Sequence, residues 1–251
     1  MSSDLETAKF LVLDTETTGT EPATCQVVEL AWVLTSLDAA GPLAAGTTLV
    51  NPGCPIPPEA SAVHHLVDED VAGSPDLALA IKMMCQHLRE EHQGVSAFAA
   101  HNAAFDSAFL PSLKGGRPWL CTYRLARRLL PDLPAFGNQF LRYALKLQVP
   151  EAQGLAAHRA LADAYVTAAL LRNLLAQVVD KPGWAQDLEG LAQQLDAPIL
   201  LKTCGFGKHK GQPWAEVPRS YLQWMLGPGG MKDLDVDTKH TAQFYLRGGR
   251  A

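Results

Sequence analysis

The stretch KFLVLDTETTGT, residues 9–20, decides the reading of the fold. Its apolar run, Phe10 to Leu13, meets Asp14 and Glu16, with threonines at 15, 17 and 18 and Gly19 behind them. A short apolar run bounded by turn residues reads as a buried strand. Two carboxylates at its end add nothing to an apolar core, because burying like charges without a partner costs several kcal/mol. Asp14 and Glu16 are two residues apart, so in strand geometry they share a face. The pair requires a partner of opposite charge.

Outward from this strand, CQVVELAWVLTSL (25–37) and LAAGTTLV (43–50) read as two more, turned by Gly41-Pro42. Joined by short turns, the three predict an antiparallel meander. After the Pro-rich NPGCPIPPEA and the segment SAVHHLVDEDV, helical periodicity takes over at 76–91, where Leu77, Ile81, Met84, Cys85 and Leu88 form one stripe. VSAFAAH (95–101) reads as a strand before a short helix from about Phe105. A strand near Trp119–Thr122, helices over 123–130 and 138–147, and a long helix through LADAYVTAALLRNLLAQVV follow. This order predicts an α/β domain, a mixed β-sheet flanked by helices. DKPGW (180–184) marks a stop. The expected organisation is a main domain over 1–180, a linker or helix over 181–198, and a small basic module over 199–251.

The composition, 47% hydrophobic and 19% charged over 251 residues, suits a soluble protein with a sizeable core. No apolar run approaches the ~20 residues of a membrane span, and the acidic N-terminus lacks a signal-peptide core. Five cysteines without CxxC spacing predict reduced thiols in a cytoplasmic protein, with neither a zinc site nor a disulfide frame. The net charge of −5 is unevenly spread: from residue 199 on, eight Lys/Arg face four Asp/Glu, and before it 13 face 22. An acidic body with a basic tail argues against coating nucleic acid by bulk electrostatics.

Two further acids stand in distinctive settings. In AAHNAAFDSAFL, Asp106 follows a strand at the opening of a helix; in GLAAHRALADAYV, Asp163 begins the long helix, five residues after His158. Five residues turn an ideal helix by roughly 140°, so His158 is expected on the preceding loop, leaning back towards Asp163. Carboxylate oxygens suit the hard cations Mg²⁺ and Mn²⁺. Two such ions about 4 Å apart activate a water and stabilise a leaving oxygen in phosphodiester hydrolysis. A histidine of near-neutral pKa suits the role of general base.

DTETTG, HNAAFD and HRALAD together resemble the three exonuclease motifs of the DEDD superfamily, in its DEDDh (DnaQ-like) branch, over roughly residues 8–178. The proofreading epsilon subunit of DNA polymerase III is a member. The resemblance implies a ribonuclease H-like fold and stepwise 3′→5′ hydrolysis to 5′-mononucleotides. It implies that Asp14, Glu16 and Asp163 hold one metal ion, that Asp14 bridges to a second which Asp106 reaches, and that His158 is the general base. It places Thr17 and Thr18 near the terminal nucleotide and makes Asn102 and Phe105 candidates for substrate contact. AVHHLV resembles the family segment that contacts sugar and base, with His64 the matching residue; the family often has Gly where this chain has His65.

FGKHKGQPWAEVPRSYLQWML resembles the C-terminal module of exodeoxyribonuclease X-like proteins. Within it Lys208 and Lys210 are candidates for nucleic-acid contact, whereas Tyr221 and Trp224 are expected in the module's own core. Arg124, Arg127 and Arg128 either track phosphates or form a solvated face. LAQQLDAP (191–198) faintly resembles a sliding-clamp peptide and otherwise reads as linker. The expected function is a metal-dependent 3′→5′ exodeoxyribonuclease acting on DNA 3′ ends, single-stranded or duplex, in DNA repair. An RNA-trimming exoribonuclease and a proofreading or non-catalytic docking subunit remain open, as do a homodimer and repair or replication proteins as partners.

Overall fold

The computed structural model describes residues 4–91, 94–113, 116–156, 158–231 and 234–249. They form two compact units, divided between Leu195 and Asp196. In chain order the first unit contains α1 (Asp4–Thr7), β1 (Lys9–Thr17), β2 (Val27–Ser36), β3 (Ala44–Leu49), α2 (Pro58–His64), α3 (Asp68–Val71) and α4 (Leu77–Glu91). It continues through β4 (Val95–Ala100), α5 (Ala103–Phe109), β5 (Trp119–Cys121), α6 (Thr122–Leu129), α7 (Asn138–Ala144), α8 (Ala160–Leu175) and α9 (Leu188–Asp196).

The strands form one sheet in the order β3-β2-β1-β4-β5. β1 pairs with β2, and β2 with β3, antiparallel; β1 pairs with β4, and β4 with β5, parallel. The expected meander and mixed sheet are both present. Successive residues of β1 point to opposite faces. Phe10 and Val12 join Ala160, Ala164 and Ala168 of α8 in one core, while Leu11 and Leu13 join the α4 stripe in the other. Alanines along α8 let that helix lie close on the sheet. Asp14 and Glu16 continue the Phe10–Val12 face, towards α8, with a register shift between Glu16 and Thr17.

The segment expected as a linker or helix, 181–198, belongs to the first unit as far as Leu195 and carries α9. Leu191 and Leu195 of α9 are fully enclosed in the α8-side core, which removes the apolar residues that a clamp-binding peptide would have to present. The second unit, from Asp196, contains α10 (Arg219–Leu226) and α11 (Val236–Leu246), packed around Trp214 and Met225. Lys232 and Asp233, inside the expected basic module, lie outside the described residues. Trp214 fills the core reserved for the module's aromatics, and Tyr221 packs against it. Trp224, also expected there, is exposed instead. It shares α10 with the core residues Leu222 and Met225 but occupies a different face of the helix.

Candidate active site

Parallel pairing of β1 with β4 delivers the motifs to the same end of the sheet. Ligand sites in open α/β sheets lie outside the carboxyl ends of the strands. Asp14 and Glu16 end β1; the chain leaves β4 through His101 and Asn102, the latter in a left-handed conformation (φ 74°), and Asp106 follows in the first turns of α5. Asp106 is buried, and its Oδ1 accepts hydrogen bonds from the Thr15 backbone N–H (3.0 Å) and hydroxyl (2.9 Å). This ties the α5 acid to the strand carrying the first two.

Asp163 enters from α8. Its Oδ1 accepts from Gln139 Nε2 (2.7 Å) and its Oδ2 from the backbone N–H of His158 (3.2 Å). His158 lies on the loop before α8, as expected, in a left-handed conformation (φ 60°). Its backbone makes the bond to Asp163, and the residue is exposed. Asn138 adds a bond from Nδ2 to the Asp163 carbonyl (3.1 Å), so α7 holds the first turn of α8.

Burial and neighbouring charge raise the pKa of Asp14 and Glu16, and burial that of Asp106. Burial comes first for Asp14, then the charges of Asp106, Glu16, Asp163 and Glu29; together they hold its carboxyl well above the usual range. Burial and the charges of Asp163, Glu29 and Asp106 push Glu16 up to about 8, with Arg159 opposing. Burial lifts Asp106 to about 7 despite its bonds from Thr15. Hard oxygen donors carrying unmatched negative charge fit a divalent metal. Among the described residues no three His, Cys, Asp or Glu side chains close into a ready coordination shell. Burial disfavours the charged carboxylates, with repulsion adding to it at Asp14 and Glu16, and a divalent cation would supply the missing attraction.

A fifth acid was not anticipated. Glu29 on β2 faces Glu16 across the strand pair and is 1% exposed. Its carboxylate accepts from Arg159 Nε and Nη2 (both 2.9 Å), from Thr47 Oγ1 (3.1 Å) and from the Ala160 backbone N–H (3.2 Å). A carboxylate at the first N–H groups of a helix is favoured by the helix dipole. Glu29 thus anchors the N-terminus of α8 to the sheet, next to His158. In the sequence it stands inside an apolar strand, 130 residues from Arg159. The one available signal was a charged residue where the pattern calls for an apolar one.

The substrate-contact candidates are placed unevenly. Thr17 and Thr18 are buried and shape the end of β1: Thr17 Oγ1 donates to the Gly19 carbonyl (2.6 Å), and Thr18 Oγ1 accepts from the Gln26 N–H (3.0 Å). His64 is buried; its Nδ1 accepts from the Leu66 N–H (3.0 Å), while its Nε2 is enclosed without a hydrogen-bond partner. His65, where the family often has Gly, takes the left-handed conformation (φ 61°) that glycine adopts easily. Asn102 is exposed, and the half-buried Phe105 packs on Phe109 with centroids 4.9 Å apart. His101 is bonded on both ring nitrogens, to Thr122 Oγ1 (2.9 Å) and the Phe136 carbonyl (2.8 Å), which suits bracing the loop. On α6, Arg124 Nε donates to the Leu195 carbonyl, and Arg127 lies over Tyr123 and Phe136. Lys208 and Lys210 are exposed on a loop of the second unit.

Residues 11–171 match the family model of the RNase T-type exonucleases. The chain belongs to this exonuclease family. It is 33% identical to exodeoxyribonuclease 10 of Escherichia coli K12 over 94% of this chain and 97% of that protein. The DNA polymerase III epsilon subunit of Treponema pallidum is 28% identical over 71% of this chain and 81% of its own. Among solved structures, exonuclease X in complex with 5′-overhanging duplex DNA is 33% identical, with a TM-score of 0.60, over 74% of this chain and 99% of that one. The DEDDh resemblance and the ribonuclease H-like fold are thereby borne out, and members of this family generally depend on divalent metal ions. The family match ends at residue 171, ahead of the second unit. Among the described residues no helix is long and apolar enough to cross a membrane.

Proposed function

We infer that this exonuclease is a 3′→5′ exodeoxyribonuclease, which hydrolyses DNA from its 3′ end to 5′-mononucleotides and serves in DNA repair in the cytoplasm. The observation that carries this reading is the convergence of Asp14, Glu16, Asp106 and Asp163 at one end of the sheet, with mutual charge repulsion and burial raising the pKa of Asp14 and Glu16. Similarity to exodeoxyribonuclease 10 along nearly the whole of both chains supports DNA as substrate and a stand-alone enzyme. Five free cysteines suit a reducing compartment.

Asp14, Glu16 and Asp163 would hold one Mg²⁺ or Mn²⁺ ion, and Asp14 with Asp106 a second. When bound, such ions supply positive charge at the scissile phosphate and make a water acidic enough to lose its proton near neutral pH. His158, exposed beside Asp163 on the loop before α8, would accept a proton there as general base. Thr15 holds the Asp106 carboxylate, and Gln139 with the His158 backbone holds that of Asp163, so each acid keeps one orientation. Thr17 and Thr18 at the end of β1, the exposed Asn102 and the half-buried Phe105 would receive the terminal nucleotide. His64 would join them, its ring held by the Leu66 N–H at Nδ1.

The test uses 5′-labelled DNA and RNA oligonucleotides of one sequence, with Mg²⁺ or Mn²⁺, comparing the natural chain with Asp14→Ala. A ladder shrinking from the 3′ end of DNA, absent in the variant, is the expected result. Shortening of RNA alone would transfer the mechanism to RNA trimming. No metal-dependent ladder on either would overturn the catalytic reading in favour of a docking subunit.

A further inference from the structure

The second unit has its own small core and one surface that the exonuclease chemistry does not use. Lys202, Cys204, Gln212 and Trp214 pair as a short hairpin: the Cys204 N–H donates to the Gln212 carbonyl (2.8 Å) and the Trp214 N–H to the Lys202 carbonyl (3.0 Å). The tip of this hairpin, residues 205–211, carries Lys208, His209 and Lys210. Its seating is specified closely. Gly207 has φ +62°, and a Cβ there would lie 2.7 Å from Tyr221 Oη, so the loop rests on that ring only because a glycine occupies the contact.

Tyr221 is surrounded as a result. The Lys208 ammonium sits 5.1 Å from its ring centroid, the His209 ring approaches at 4.5 Å, and Trp224 packs beside it at 5.3 Å with the planes 32° apart. Trp224 in turn is 51% exposed, while Trp214 is fully enclosed. Single exposed apolar residues are common and need no explanation. Here the open indole belongs to an aromatic pair whose other ring carries a lysine, on a module with eight Lys/Arg against four Asp/Glu from residue 199 onward. An open aromatic ring beside a tethered cation is how sequence-tolerant proteins hold single strands: the ring stacks on a base and the cation meets phosphate.

We propose that Trp224 and Lys208 form a second, non-catalytic contact for single-stranded DNA, with Trp224 stacking on a base and Lys208 meeting a neighbouring phosphate. The identity of the ligand rests on the exonuclease reading. Lys210, exposed on the same loop, adds charge, and Tyr221 positions Lys208 and Trp224 relative to each other.

The full chain carrying Asp14→Ala, without divalent metal, is titrated against fluorescein-labelled dT20 and followed by anisotropy. Adding Trp224→Ala should weaken binding roughly tenfold, and Trp224→Phe should retain most of it. Lys208→Ala should flatten the dependence of log affinity on log salt by about 0.7. Unchanged affinity in Trp224→Ala overturns the proposal, as does an equal loss on a blunt duplex, since stacking needs an unpaired base. A melting temperature held within error by Trp224→Ala assigns a loss to the surface; if that variant unfolds, an unchanged salt slope in a folded Lys208→Ala overturns the proposal. Hydrolysis of DNA by the otherwise unaltered chain is assayed separately: its absence would sink the exonuclease reading while leaving the dT20 result to decide this surface.

Discussion

Glu16 and Glu29 face each other across β1 and β2, yet the fold treats them in opposite ways. Glu29 is enclosed among four donors, with the guanidinium of Arg159 bonded to both of its oxygens. Glu16 lies among other acids, and burial with their charges pushes its pKa up to about 8. A buried carboxylate that is fully partnered fastens one element to another. Buried carboxylates that repel one another make the folded state less stable, and persist where something absent from the chain completes them. The contrast separates the anchor from the site within one pair of neighbouring strands.

The strongest test of that division removes a member of the unpaired set. Asp14→Ala should abolish metal-dependent shortening of labelled DNA while leaving the fold intact by circular dichroism. A full structural collapse would show that Asp14 belongs with Glu29 instead. His158→Ala should lower kcat by roughly 10²–10⁴-fold, the usual range for loss of a general base. Because residues that act as a unit are non-additive, joining it to Asp14→Ala should cost little more than Asp14→Ala alone.

On the anchor side, Glu29→Gln should destabilise the protein by about 3 kcal/mol in urea unfolding, the low end for breaking a buried pair, since Arg159 is partly exposed and can turn to water. Equal stability would erase the contrast. A further test is a pH dependence. Glu16 and Asp106 have folded-state pKa values of about 8 and about 7, above their ordinary values. Between the ordinary and the raised values the folded state binds more protons than the unfolded, so stability without metal falls as pH rises from about 4.5 to 8. Melting curves in EDTA should follow that sign. Added Mn²⁺ should stabilise more at the upper end of the window, because metal competes with protons for these oxygens.

The sites of these two groups differ in how far they were legible. Asp14, Glu16, Asp106, His158 and Asp163 stand in short motifs at strand ends and helix starts, where local pattern predicts both the element and the reason for an acid in it. Glu29 sits in VVELAWVL, where the pattern says only that the strand is buried; its partner lies on the far side of the fold's chain path. Thr15 and Gln139 likewise read as ordinary strand and helix residues until their bonds to Asp106 and Asp163 are drawn. In the second unit Trp214 and Trp224 are indistinguishable by composition, and one became the core while the other stayed outside. The arginines of α6 and the leucines of α9 were read as surface features, and packing within the first unit uses several of them.

By itself the sequence determined the mixed sheet, the order of its elements and the carboxylate motifs, because hydrophobic period and turn residues act over neighbouring positions. Tertiary structure alone decided which acid is neutralised, how α7 and β2 hold the start of α8, and which tryptophan faces water. Those outcomes depend on groups brought together from distant parts of the chain, where charge pairing and desolvation act through space and leave no mark on local spacing.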